Sequence, residues 1–333
     1  MTTRTRTLVL AFVLLLSGSA AGQPPAILLP PTEPLPPPQQ QLVPAPVPWQ
    51  VAPPPPGFGD PVSPAEAALC TPGRWGFEVG ANLAVPIIHQ NLQAPVTVGN
   101  LYTTTVQLPS ADQDLGGGLF FNISYALGPG DLSATYRFFV SDGRQTLVGF
   151  DPVGPADLVT RLSLNTVDLD YSLRRQLGAR WTARLDIGAK LGSAYFDTFA
   201  DSPQFSDHIS NSFFGAGPHA ALALTRTLSD SNLALFGRVD FGTLFGDVHQ
   251  HFAEAAYDLN GNFLASGHTD QHVTRGIPVL QVQLGLGGAP WGGRWGRWQA
   301  GYEFEQWWGL GQVGQSTGDL TLHGFFARYT FKY

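Results

Sequence analysis

Charged residues are scarce in this 333-residue chain. Only 13% of the residues are Asp, Glu, Lys or Arg, about half of the usual share in soluble domains. The sequence therefore lacks the charged surface that a water-soluble domain of this length needs. Its formal net charge is −7, which argues against a nucleic-acid partner, because such proteins present a basic surface.

Cysteine and long apolar runs are also nearly missing. The single cysteine, Cys70, excludes an internal disulfide and supplies no metal site by itself. The longest uninterrupted apolar run, residues 8–16, is too short to cross a bilayer as a helix. If the chain enters a membrane, it must cross that membrane with strands.

The first 22 residues have the pattern of a secretory signal. Arg4 and Arg6 precede the apolar run, and Ser19, Ala20 and Ala21 form a small-residue cleavage site. The sequence therefore predicts an exported protein with a signal peptide at residues 1–22.

Proline is concentrated just after this signal. More than half of the 28 prolines lie between residues 23 and 64. Such a composition favours disorder or polyproline II over a packed core. We expect residues 23–73 to be a disordered periplasmic linker. It would be a passive spacer or a tether for a cell-wall or periplasmic partner.

From residue 74 onward, apolar and polar residues alternate with a period of two, which is typical of strands. In the last strand, Phe325, Ala327 and Tyr329 alternate with Arg328 and Thr330. Successive side chains of a strand point to opposite faces, so one face is apolar and the other polar. Ten such strands are predicted, at about residues 74–87, 114–127, 131–141, 164–175, 180–196, 211–224, 232–246, 276–288, 296–308 and 324–333.

The connections between these strands alternate in length. Short turns are predicted at residues 128–131, 174–180, 225–231 and 289–295, and long loops at about 88–113, 142–163 and 247–275. Short periplasmic turns and long external loops are typical of outer-membrane barrels. The sequence therefore predicts an all-β fold over residues 74–333: a transmembrane antiparallel up-and-down β-barrel of about ten strands, with eight or twelve as alternatives.

Acids and bases are nearly balanced at the inward positions. The predicted lumen-lining residues are Glu78, Arg137, Asp168, Asp170, Arg184, Asp186, Lys190, Arg238, Asp240, Glu303, Glu305 and Arg328. Opposite charges on adjacent strands attract each other. We expect ion pairs of Asp168 or Asp170 with Arg184, and of Glu303 or Glu305 with Arg328. Barrel closure would bring Glu78 towards the last strand.

These charges allow two interpretations: they tie the strands together, or they line a path for solutes. Ten strands are close to the number at which side chains fill the interior. Any passage would therefore be narrow or gated.

Histidines and carboxylates cluster in two places that the sequence predicts as external loops. They are His249, His251, His268, His272 and Asp270 in one loop, and His208 with Asp207 in another. Such groups are able to bind a transition metal or to take part in hydrolysis. Because no complete motif is present, we predict neither a catalytic site nor a metal site or cofactor. Residues 258–262 resemble the start of a calcium loop without its final glutamate, which favours a simple turn.

Several short motifs resemble a known group of membrane proteins. They are Trp-Gly-Phe-Glu at 75–78, Gly-Tyr-Glu-Phe-Glu-Gln-Trp-Trp at 301–308 and the aromatic last strand. Together with the signal and the proline-rich leader, they resemble the pore-forming outer-membrane barrels related to Legionella-type major outer-membrane proteins and barrels of planctomycete-like envelopes. This resemblance implies an outer-membrane location and a porin-like activity. The strand that ends at Tyr333 also resembles the signal that such barrels present to their assembly machinery.

The sequence thus predicts a porin-like barrel for passive passage of small solutes or ions, surrounded by outer-membrane lipid. One alternative is a structural or adhesive envelope barrel that displays external loops, with the leader as its tether. A less favoured alternative is an omptin-like surface hydrolase.

Overall fold

The computed structural model describes residues 75–98, 102–108, 112–127, 129–150, 154–228, 232–258, 260–288, 296–313 and 316–332. For residues 89–98, 102–108, 147–150, 154–155, 317 and 332, only the backbone is described. The predicted signal peptide and proline-rich linker, together with Cys70 and Tyr333, lie outside these ranges. The predictions that depend on them, including the partners of the leader and of the last residue, stay predictions.

Eleven strands account for nearly all of the described residues. They are β1 (Trp75–Val98), β2 (Tyr102–Leu108), β3 (Gly116–Leu127), β4 (Gly130–Phe150), β5 (Gly154–Gly178), β6 (Trp181–Asp201), β7 (Phe205–Thr227), β8 (Leu233–Tyr257), β9 (Phe263–Gly288), β10 (Arg297–Trp307) and β11 (Thr317–Lys332). No helix long and apolar enough to span a bilayer occurs in this described part of the chain.

Ten of these strands close into a ring. Every strand from β3 to β11 pairs antiparallel with the next, and β1 pairs with both β3 and β11. The seam between β1 and β11 runs from the pair of Gly76 with Lys332 to the pair of Asn91 with Thr317. The short β2 pairs only with the far end of β1. The predicted ten-stranded antiparallel barrel is confirmed.

The outer surface of the ring carries an apolar belt. Large apolar side chains are exposed at the outward positions of every strand in the ring, among them Phe77, Phe121, Leu132, Leu169, Ile187, Leu222, Leu235, Leu284, Tyr302 and Phe325. Exposed apolar surface on this scale is not stable in water. A closed ring with an apolar outside leaves no unpaired sheet edge in lipid, and this surface makes the fold a transmembrane barrel.

Aromatic residues mark the end of the belt nearest the short turns. Trp75 packs against Tyr125 with ring centroids 4.9 Å apart, and Trp298 is paired with Tyr329 across β10 and β11. Trp181 lies at the same level, where β6 begins. Trp and Tyr prefer the interface between hydrocarbon and water, so these rings indicate one bilayer boundary.

The strands are much longer than the sequence predicted. β8 has 25 residues and β9 has 26, whereas a tilted strand crosses a bilayer with about 9–11 residues. Most of the segments predicted as long loops at 88–113, 142–163 and 247–275 are therefore strand, and that prediction was wrong. The excess length extends the barrel wall roughly 35 Å beyond the belt, given the rise and tilt of such strands.

Pro218 locally interrupts the ladder between β7 and β8. Pairing there stops after Ala216 with Phe245 and resumes at His219 with Gly242, in the same register. Proline has no backbone N–H to donate, which explains the gap.

Candidate functional site

Most charged residues of the membrane-spanning part point into the ring. The twelve residues predicted to line the lumen occupy inward positions, where their side chains are buried or half-buried. They form two clusters: one joins β5, β6, β7 and β8, and the other joins β1, β4, β9, β10 and β11.

The first cluster centres on Lys190 of β6. Its Nζ lies 3.6 Å from Asp168 Oδ1 on β5 and 3.5 Å from Asp240 Oδ1 on β8. The side chain is 1% exposed. A buried ammonium group needs opposite charges close by. The carboxylates of β5 and β8 supply them.

His219 of β7 belongs to the same cluster, although the sequence analysis did not select it. Its Nε2 lies 2.7 Å from Asp170 Oδ1, and its Nδ1 lies 3.2 Å from Asp240 Oδ1. Strand β6 separates β5 from β7, but the residue between them is Gly188. Because Gly188 has no side chain, His219 reaches Asp170 over it. The feature that identifies His219 in the sequence is a polar side chain at an inward position of its strand.

Two arginines complete the cluster through Asp186. Arg184 donates to Asp186 at 2.6 Å and to Ser172 at 2.7 Å. Arg238 donates to Asp186 at 2.7 Å and to Asp240 at 3.3 Å. The predicted pairing of Arg184 with Asp168 or Asp170 is wrong, because those carboxylates face Lys190 and His219, while Asp186 lies on the same strand as Arg184.

The second cluster connects opposite walls of the barrel. Arg137 of β4 donates to Glu305 of β10 at 3.0 Å, across the interior. Glu305 also accepts from the indole N–H of Trp307 at 2.8 Å. The cavity beside Arg137 and Glu305 has a volume of about 20 Å³, roughly room for one water.

Arg328 of β11 pairs with Glu78 of β1 at 3.3 Å, across the seam that closes the ring. It also donates to Gln283 at 3.1 Å. The expected approach of Glu78 to the last strand is confirmed. The expected pairing of Arg328 with Glu303 or Glu305 is wrong: Glu305 faces Arg137, and Glu303 accepts a hydrogen bond from Gln283.

Beyond the polar clusters, towards the long ends of the strands, the interior is apolar. This apolar plug consists of inward side chains from several strands: Leu158, Leu162 and Leu164 of β5, Ile209 and Phe213 of β7, Leu244, Val248 and Phe252 of β8, Ile277 and Val279 of β9, Trp307 of β10, and Leu320 and Leu322 of β11. Sequence reasoning missed the plug, because it took every inward position for a polar one.

An acidic pair lies inward near the far end of the wall, outside the membrane-spanning part. Asp207 of β7 is paired with Glu254 of β8 in the ladder. Burial, and then the charges of Glu254 and Asp201, raise the pKa of Asp207 to about 7. Burial also raises the pKa of Glu254.

Outward histidines cover the same part of the wall. His208 of β7 lies 2.5 Å from Asp197, and His251 of β8 lies 2.7 Å from Asp270. His249 and His272 are directly opposite each other on β8 and β9. The prediction that these residues lie in loops is wrong, because the strands extend through them.

The turn predicted at residues 258–262 is confirmed by its hydrogen bonds. Asp258 accepts from the backbone N–H of Asn260 at 2.8 Å and of Asn262 at 2.7 Å. Across the described residues, no group of three or more His, Cys, Asp or Glu side chains is arranged to hold a metal ion.

No protein-family model matches the sequence, and no curated protein matches it. Among solved structures, the outer membrane protease OmpT from Escherichia coli is similar over 79% of this chain and 97% of its own, with 9% identity and a TM-score of 0.44. The toluene transporter TodX from Pseudomonas putida matches 80% of this chain and 91% of its own, with 13% identity and a TM-score of 0.31. The outer membrane protein OprG from Pseudomonas aeruginosa matches 78% of this chain and 96% of its own, with 10% identity and a TM-score of 0.31.

These three likenesses are too distant to carry an argument about function. The resemblance to Legionella-type and planctomycete-like barrels stays a prediction.

Proposed function

We propose that this chain is an outer-membrane β-barrel with a closed interior, whose function is structural: it holds the extended wall of β4–β9 outside the membrane as a surface for contacts. The filled interior carries this proposal. Lys190 in the polar part is 1% exposed, and Trp307 in the apolar plug is 0% exposed. Ten strands are close to the eight at which side chains just fill a barrel.

The belt supports the membrane location, and the long strands support the orientation. Barrels of the outer membrane have short turns on the periplasmic side and longer extensions outside. The turn at residues 179–180 is short, whereas β8 and β9 extend far past the belt. We therefore place the turn near Asn260 outside the cell and Ala179 in the periplasm.

Porin-like passage of small solutes or ions is a second candidate. The polar clusters favour it, because charged side chains that face the lumen are what a solute path needs. Such a path would require the plug around Trp307 to move, so transport would be gated rather than continuous.

Conductance in a planar bilayer separates the two candidates. We expect the wild-type protein to give no steady current steps, because the plug blocks the interior. A porin should give discrete steps in the wild type, and that result would overturn the closed-barrel proposal. If Trp307→Ala opens steps that the wild type lacks, the plug is the barrier and the gated alternative gains support. Trp308→Ala is the matched control, since Trp308 is 37% exposed.

Labelling of intact cells tests the orientation and the surface role. In a Cys70→Ser background, Asn260→Cys should react with a membrane-impermeant maleimide, and Ala179→Cys should react only after the outer membrane is permeabilised. The reverse pattern would place the extended wall in the periplasm and would overturn the proposal.

We also propose that the protein is not an enzyme. The inward acidic pair Asp207 and Glu254 has no histidine as its partner in the ladder. Hydrolysis of a peptide library by the pure protein, lost in His208→Ala or His251→Ala, would contradict this.

A further inference from the structure

Five histidines that are distant in the sequence share one face of the extended wall. His208 comes from β7, His249 and His251 from β8, and His268 and His272 from β9. All five occupy outward positions. They lie past Phe245, the last exposed apolar side chain of the belt on β8, so water reaches them.

Within this face, His249 and His272 stand out by geometry. They are direct cross-strand partners, and their rings are 5.8 Å apart between centroids with an interplanar angle of 25°. Imidazole nitrogens bind zinc at about 2.0–2.1 Å, which puts the centroids of two rings that share a tetrahedral ion roughly 5 Å apart. The observed centroid distance is therefore close to the one that a shared ion requires.

The charges around the pair favour a cation. Asp247 lies two residues from His249 on the same outward face of β8, and Asp270 lies two residues from His272 on β9. Both carboxylates are already oriented: Thr274 donates to Asp247, and Asp270 contacts His251 at 2.7 Å. Their negative charges lie near the pair and attract a cation by long-range electrostatics.

We propose that His249 and His272 form a surface site for a divalent transition-metal ion of the Zn²⁺ or Cu²⁺ class. The two imidazoles bind the ion, and water completes its coordination. Two protein ligands are consistent with the absence of a preformed group of three among the described side chains. Imidazole ligands select Zn²⁺, Cu²⁺ and Ni²⁺ over Mg²⁺ and Ca²⁺.

The test uses Cu²⁺ and the full, tag-free protein in detergent. We expect one equivalent of Cu²⁺ to bind, and its electron paramagnetic resonance spectrum to show coupling to two imidazole nitrogens. His249→Asn and His272→Asn should each weaken binding at least 10-fold, because each removes one of the two direct ligands. Binding should fall on acidification, since protonated imidazole does not coordinate metal. Excess Ca²⁺ should not displace the copper, because Ca²⁺ prefers oxygen ligands.

His323→Asn is the control, because His323 is an outward histidine on β11 that contacts Tyr302 rather than another histidine. It should bind copper as the wild type does. Heat-modifiable migration on a gel verifies that each variant is folded, and both ligand positions are exposed. Wild-type protein that does not bind copper, or His249→Asn and His272→Asn variants that bind as tightly as wild type, would overturn the proposal.

Discussion

The indole of Trp307 on β10 lies against Gly192 on β6, on the opposite wall of the barrel. A Cβ atom at Gly192 would be 2.9 Å from Cη2 of Trp307 and 2.6 Å from Cδ1 of Leu244. Trp307 thus crosses the interior, and it fits only because residue 192 has no side chain. The same indole donates to Glu305, which is held from the other side by Arg137.

The first prediction concerns this contact. Gly192→Val should lower the free energy of unfolding by about 1–3 kcal/mol, the usual cost of overpacking a filled interior. Urea unfolding of the barrel in lipid vesicles measures the change. Ala189→Val on the outward face of the same strand is the control and should be nearly neutral. Equal effects of the two substitutions would show that Trp307 does not lie against Gly192.

A second prediction follows from Gly188. A Cβ atom there would meet the backbone oxygen of Leu169 and lie 2.5 Å from Oδ1 of Asp170. Gly188→Ala should therefore separate His219 from Asp170 and destabilise the barrel, by about 1–3 kcal/mol. Gly237→Ala provides the comparison, since its Cβ would lie 3.1 Å from a flexible leucine side chain and 3.9 Å from the nearest backbone oxygen. If Gly188→Ala is as mild as Gly237→Ala, the contact over Gly188 is wrong.

The third prediction concerns the buried ammonium group of Lys190. Lys190→Ala leaves Asp168 and Asp240 buried with one partner fewer, and removing one member of a buried ion pair costs about 3–5 kcal/mol. Urea unfolding in lipid vesicles measures this loss of stability. Arg161→Ala removes an exposed pair, 3.9 Å from Asp142, and should cost less than about 1 kcal/mol. A loss of similar size in both variants would argue against a closed interior around Lys190.

A fourth prediction tests which part of β9 lies in the bilayer. Val282→Lys places a cation on the outward face within the belt and should cost about 2–4 kcal/mol near the bilayer midplane. Thr274→Lys lies on the same face beyond the belt, next to Asp247, and should be tolerated. A tolerated Val282→Lys would mean that the apolar belt does not contact hydrocarbon.

The fifth prediction concerns pH. The pKa of Asp207 is raised from 3.8 to about 7 in the folded protein. Folding therefore takes up a proton between about pH 4 and pH 7, so stability falls as the pH rises through this window and levels off above it. The loss should amount to about 2–4 kcal/mol, and urea unfolding between pH 4 and pH 8 measures it.

Two further substitutions test this pH effect and control for it. Asp207→Asn should remove most of the slope of the unfolding free energy against pH. The slope that remains is due to Glu254, whose pKa is also raised. Asp142→Asn should leave the slope nearly unchanged, because Asp142 is an exposed carboxylate of β4 that contacts Arg161 and not Asp207. An unchanged slope in Asp207→Asn would show that Asp207 is ionised at neutral pH in the folded protein.

The alternation of side chains was enough to predict the barrel. A period of two assigns each residue to one face, so Leu169 outward and Asp170 inward follow from the sequence alone. The lengths of the strands did not follow. Beyond the belt, outward residues such as His249 and Asp247 are polar, and the simple contrast between apolar and polar faces disappears there.

The partners of the inward charged residues could not be predicted from the sequence either. Arg137 and Glu305 lie 168 residues apart, and their contact depends on the curvature that sets them on opposite walls. The sequence allowed a comparison only of residues on neighbouring strands. Arg184 and Arg328 were therefore assigned to the wrong carboxylates. Gly192 makes room for Trp307, and Gly188 makes room for His219. Nothing in the sequence around these two glycines indicates that role.

By itself, the amino-acid sequence determined that the chain folds as strands, which face of each strand is apolar, and that the ring is about ten strands wide. The tertiary structure alone decided that the ring is filled. Whether inward side chains leave a path depends on how they meet across the interior, and those distances are set by closure of the sheet rather than by any local pattern.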